Sequence, residues 1–154
     1  MMRKYWHFIL LFVVFMILGF SRDYLFVNIN YQAGKIYYQR VDDYHVAEGL
    51  KFLETWSYKK LYFSKWILTV LYMLMYGIIT IMGIHLTFKN KQYNRYAFLV
   101  YALLFVLAAL VYNSGNYLLS VDRAYTISRQ IMGWLQSPII AMILLPAFYL
   151  SEKK

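Results

Sequence analysis

The sequence has no cysteine, only two prolines, and 7 acidic residues against 16 basic ones. Without cysteine there can be no disulfide, thiolate metal site, cysteine nucleophile or lipoprotein-type lipid anchor at the amino terminus. The redox compartment stays open. Charged residues make up 15% of the chain, against about 25% in ordinary soluble domains. The uncharged runs contain no carboxylate, which argues against a small transporter that carries its coupling charge inside the membrane.

The sequence is rich instead in hydrophobic residues, at 62% of the chain. They are concentrated in Tyr5–Phe20, Trp66–Phe88, Ala97–Leu119 and Ile131–Leu150. A bilayer core of about 30 Å takes about 20 apolar residues as a helix. The last three runs meet that length and the first falls short. The patterning predicts an all-α integral membrane protein, a single membrane domain over 1–154. Four transmembrane helices are expected at about 5–26, 66–88, 97–119 and 130–150. The start also has the outline of a signal peptide, but its core is bulky and aromatic, so it reads as a retained first span.

One long extracytoplasmic loop, about 27–65, joins the first two spans. It has no proline and little serine, unlike a flexible linker. Val46, Leu50, Leu53 and Trp56 recur at helical spacing and predict a short amphipathic helix. Trp56, Tyr58, Tyr62 and Phe63 suit a membrane interface. Gln32–Asp43 reads as irregular, with a turn at Gly34.

Raw counts of basic residues do not orient the chain, with seven on one side and nine on the other. The short loop Lys89–Arg95 carries three positives and no acid, whereas the long loop also carries carboxylates. Short loops weigh most, so both termini are expected to be cytoplasmic.

Arg22-Asp23 falls where the first run should still be crossing. If that helix continues past Tyr24, the pair lies in the outer leaflet or at its boundary. Asn113, Asn116, Arg129 and Gln130 are expected at the same depth. Together these six form a candidate polar cluster or lipid-headgroup site, because ionisable groups in lipid need partners. Interfacial snorkelling of the arginines is the plainer reading. In the fourth span Gly133, Ser137 and Ala141 repeat every fourth residue. They offer a groove for another helix, whether inside the bundle or on a partner. Pro138 and Pro146 should bend that span.

No catalytic constellation is evident, and no cofactor or metal is expected. His7 and His85 share a shallow depth but lack a third ligand. Asp42, Asp43 and His45 read as a solvated acidic turn ahead of a weak cation site. The net charge of +9 is scattered among apolar neighbours, so nucleic acid is not an expected partner. Anionic phospholipids and other integral membrane proteins are.

The ending Thr126–Lys154, with Arg129-x-Ile131, Gln136-x-Pro138 and Pro146-Ala147-Phe148-Tyr149, resembles small four-span membrane proteins of Bacteroidota. Asp23–Asn30 is similar to their segment after the first span. A more distant similarity is to the exosortase F system-associated membrane proteins. The resemblance implies a bacterial inner-membrane location and carries over no catalytic residue. The expected function is that of a non-enzymatic accessory subunit of an envelope complex for secretion, sorting or assembly. The alternatives are a lipid-handling protein or membrane enzyme using the polar cluster, and a small transporter.

Overall fold

The computed structural model describes residues 6–39, 45–115 and 120–152. They form helices joined by short connections, with no strand among the described residues. The helices are α1 (Trp6–Tyr38), α2 (Tyr58–Phe88), α3 (Lys91–Ser114), α4 (Val121–Leu135) and α5 (Ile139–Glu152), with a 3₁₀ segment, Glu48–Thr55, between α1 and α2. Three of them are long and apolar enough to cross a membrane, or four if the bent pair α4–α5 counts as one.

The helices differ from the expected spans in ways the local chemistry explains. No proline interrupts the chain before residue 138, so α1 runs 33 residues, about 50 Å at 1.5 Å per residue. Residues 27–38 are therefore helix and not loop, and Gly34 lies inside α1 instead of at a turn. Leu25, Ile29 and Ala33 place an apolar edge every fourth residue on this extension, and packing along that edge outweighs its middling helix propensity. In the same way α2 begins at Tyr58 and not at Trp66. The expected amphipathic helix is a 3₁₀ segment kinked at Leu50 (φ −123°). It still buries the apolar residues of the expected pattern, Leu50 and Leu53.

The fourth apolar run is bent by 58° between α4 and α5. Pro138 has no N–H to give to the Trp134 carbonyl four residues back. That carbonyl is taken instead by the Ser137 backbone N (3.2 Å) and hydroxyl (2.9 Å), which closes the end of α4. Pro146 sits inside α5 without ending it.

Contacts divide the chain into two compact units, one formed by residues up to Phe15 together with Met73 onward, the other by Met16–Tyr72. In the first unit α1 and α2 lie antiparallel, with Phe15 stacked on Tyr76 (5.6 Å) and Leu11 over Gly83. A tight turn leads to α3, with Lys89 at φ 52° and the Asn90 side chain accepting from Gln92 N. The helix α4 buries Ala124, Ser128, Ile131 and Leu135, one stripe at helical spacing. Its partner α3 presents Ala97, Tyr101 and Ala108. The two backbones come close where residues are small. A methyl on Gly115 would sit 2.7 Å from the Ala124 Cβ. Further along, Tyr101, Leu135 and Ile140 form a core, and Phe148 stacks on Tyr93 at 4.5 Å. In the second unit Ile29, Val46, Leu50, Leu53 and Leu61 form a core joining α1, the 3₁₀ segment and α2.

Candidate functional site

Arg22 and Asp23 lie inside α1, well short of its end. Arg22 Nη1 donates to Asp23 Oδ1 at 3.1 Å, and its guanidinium carbon is 5.4 Å from the Phe26 ring centroid. The arginine side chain is 29% exposed and the aspartate 71%. A cation with a carboxylate on one side and an aromatic face on the other is compensated locally. Asn113 is exposed and donates to the Ala109 carbonyl one turn back (2.8 Å), so its amide is served by its own helix. Arg129 and Gln130 are on the exposed side of α4, away from the stripe that faces α3. Asn116 lies outside the described residues. The structure thus brings Arg22 together with Asp23 and Phe26 in one unit, while Asn113, Arg129 and Gln130 belong to the other.

The three small residues of the expected helix-docking face do not share one helix. Gly133 is on α4, Ser137 is at the break and Ala141 is on α5. Ala141 is buried within the protein. Gly133 opens on empty space, with nothing within 4 Å of where its Cβ would be.

Several polar residues that the sequence did not single out hold the helices together. In the first unit Thr80 Oγ1 donates to the Tyr76 carbonyl (2.7 Å). A hydroxyl has one proton, so the 3.0 Å contact between Thr80 and Tyr101 has the tyrosine as donor. Tyr76 OH in turn reaches the Phe15 carbonyl at 3.5 Å. This buried chain ties α1, α2 and α3. Ser128 Oγ donates to the Ala108 carbonyl at 2.9 Å and pins α4 to α3. In the second unit Ser21 and Tyr72 share a 2.6 Å bond between α1 and α2. Asn28, 4% exposed, accepts from Ala47 N (2.9 Å) and donates to the Tyr24 carbonyl (2.7 Å), latching the 3₁₀ segment to α1.

The second unit also carries a run of ring contacts. Tyr38, Tyr37, Tyr58, Tyr62 and Trp66 follow one another with centroids 4.9, 5.5, 6.3 and 6.5 Å apart. Lys60 Nζ lies 4.2 Å from the Trp56 ring centroid.

Of the histidines, His85 Nδ1 is 3.0 Å from Asn94 Nδ2, joining the end of α2 to the start of α3. His7 lines an apolar groove between α1 and α2. His45 is exposed, and Asp42 and Asp43 lie outside the described residues. Among the described residues no three metal-ligating side chains come together. Comparison with protein-family models, curated proteins and solved structures gave no match.

Proposed function

We infer that the chain is a four-span protein of the bacterial inner membrane, with both termini cytoplasmic, that serves a larger envelope complex as an accessory subunit. It acts by presenting a docking surface and performs no chemistry of its own.

The exposed faces favour insertion. Phe12, Ile17, Leu103, Leu110, Met142 and Ile143 are each more than 60% exposed, and a soluble monomer rarely leaves so many large apolar side chains on its surface. The bent pair α4–α5 runs beside α3 from Ala124 near Gly115 to Phe148 on Tyr93. That matches the full length of α3 and supports counting the pair as one crossing. A bend at this depth is tolerable in lipid when the freed carbonyl is satisfied locally, as that of Trp134 is by Ser137.

The observation that carries the docking role is the excess length of α1 and α2. About 20 residues cross the bilayer core, so an α1 that enters near Trp6 leaves near residue 26. The remaining dozen residues extend about 18 Å farther. α2, at 31 residues, exceeds the bilayer similarly. The excess is a folded platform with its own core and the Asn28 latch. It exposes Tyr37 (65%), Tyr38 (64%) and Phe63 (64%). Exposed Tyr, Trp and Phe on a rigid support are what protein interfaces use as anchors.

The experiment is purification from the native host in mild detergent, with a photo-crosslinking residue at Tyr62 or Gly133. The expected result is one stoichiometric membrane partner, with its recovery lost in Tyr37→Ala/Tyr62→Ala. Gly133→Leu, which should still insert, tests whether the open position on α4 belongs to the same dock. A lone monomer with no crosslinked partner at either position contradicts the reading.

A further inference from the structure

One face of α4 is covered by no other helix among the described residues. The buried stripe of Ala124, Ser128, Ile131 and Leu135 points at α3. At about 3.6 residues per turn, the opposite face carries Asp122, Thr126, Arg129, Gln130 and Gly133. The four side chains are exposed. The edges of this face are apolar, with Val121 and Tyr125 on one side and Ile127 and Trp134 on the other, all exposed. A polar strip between two apolar edges is unlike the outer side of a helix bathed in water.

The depth of the strip follows from the register with α3. Ala124 meets Gly115, and Ser128 donates to the Ala108 carbonyl. The α3 helix carries Arg95 near its start, and about 20 residues of crossing from Tyr96 end at Gly115. Ala108 lies seven residues short of that end, about 10 Å of rise. Arg129, next to Ser128, is at the same depth, farther from the phosphates than an arginine side chain extends. Ionisable groups so placed face a partner or the bundle interior, and Arg129 does not face the interior.

The first unit has no acid to spare for it. Its carboxylates are Asp122 and Glu152 alone. Glu152 ends α5. Asp122 is two turns up the same face, about 10 Å along the axis. The ion pairs among the described residues, Arg22–Asp23 and Lys51–Glu48, lie elsewhere. We propose, on the four-span and accessory-subunit reading, that this face docks a transmembrane helix of another protein carrying a glutamate or aspartate level with Arg129. Gly133 is one turn deeper and lies between Arg129 and Gln130 around the helix, with nothing within 4 Å of its Cβ position. A partner backbone approaching there puts its carboxylate between the guanidinium and the amide, so both oxygens meet donors. A second copy of the chain does not fit. About a twofold axis along the membrane normal each residue meets itself, and Arg129 would face Arg129.

The test uses the full chain in phosphatidylcholine vesicles with a single-span probe, an alanine–leucine helix of about 22 residues bearing one glutamate a third of the way along. Energy transfer between labels on chain and probe reads their association. The glutamate probe should bind about five- to thirtyfold more tightly than its leucine counterpart, the range of interhelical polar pairs in lipid, and a lysine probe no better than leucine. Arg129→Leu suits lipid, so the chain should insert with an unchanged circular dichroism spectrum and lose the preference. Arg129→Glu should transfer the preference to the lysine probe, a gain that misfolding cannot mimic. Equal binding of the glutamate and leucine probes by the unmodified chain overturns the proposal, as does a glutamate preference that survives Arg129→Leu. A preference that emerges only in Asp122→Asn overturns it too, because Asp122 would then be the partner of Arg129. Loss of the preference in phosphatidylglycerol vesicles would make lipid phosphate the occupant, with the same consequence. The assay needs no native partner. A glutamate preference in vesicles with no protein recovered from the host would therefore remove the subunit reading and leave the site.

Discussion

Replacing Asn28 with alanine tests how the platform is held. The Asn28 side chain accepts the Ala47 N–H at 2.9 Å across 19 residues of sequence. Its own amide donates to the Tyr24 carbonyl, which already receives the helical bond of the next turn. Truncation thus costs chiefly the Ala47 N–H, left without an acceptor beside a buried core. A buried donor without a partner costs about 1–3 kcal/mol. At about 2 kcal/mol the opening equilibrium of the 3₁₀ segment shifts roughly thirtyfold. The loss should be local, because Val46, Leu50 and Leu53 pack on Ile29 and Leu61 within one unit. Hydrogen exchange followed by mass spectrometry should show peptides over 45–57 exchanging about thirtyfold faster in Asn28→Ala, with peptides over 97–110 unchanged. Unchanged exchange over 45–57 would mean that the apolar core alone holds the segment. Equal acceleration across the whole chain would refute the independence of the platform. The first result overturns the latch and the second the separateness of the unit it closes.

Two glycine substitutions with opposite expected signs probe the helices. Gly34 lies inside α1 with nothing within 4 Å of its Cβ position, so Gly34→Ala should stabilise the extension by about 0.5–1 kcal/mol, from the helix propensity difference alone. Slower exchange over 30–38 checks it. Gly115→Ala must push a methyl to 2.7 Å from the Ala124 Cβ. It should destabilise the α3–α4 pairing by about 1–3 kcal/mol as overpacking, read as a lower midpoint of thermal unfolding in detergent.

The long apolar helices were the legible part of this chain, because a run such as Trp66–Phe88 carries its own length criterion. The hairpin extension was harder to read. Tyr31, Gln32, Gly34 and Lys35 look like loop residues one at a time, and only the packing of their neighbours Leu25, Ile29 and Ala33 against Leu50, Leu53 and Leu61 makes the helix favourable. Pro138 announced the break, but not that Ser137 would take over the Trp134 carbonyl and split Gly133 from Ala141. The α3–α4 seam was missed for a different reason. Ala108, Gly115, Ala124 and Ser128 lie on two helices, and a search for small residues along one helix cannot register a pairing between two. The polar residues that tie helices, Thr80 with Tyr101 and Asn28 with Ala47, depend on register between elements and leave no local pattern. Arg22-Asp23 was legible as helix because sixteen apolar residues are too few to span, and it lies inside α1.

The central claim is that α1 crosses the bilayer in its first twenty or so residues and carries the rest into water as a folded platform. The absence of cysteine makes a direct measurement simple, since every introduced cysteine is the only thiol. Nitroxides at Phe12, Ile17, Val27 and Ile36, all exposed positions of α1, can be ranked by collision with oxygen against a water-soluble nickel chelate in reconstituted vesicles. Ile17 and Ile36 are about 28 Å apart along the helix. The account predicts oxygen-dominated relaxation at Phe12 and Ile17, a crossover close to Val27, and nickel-dominated relaxation at Ile36. Lipid-like depth at Ile36, or water-like accessibility at Ile17, would contradict it.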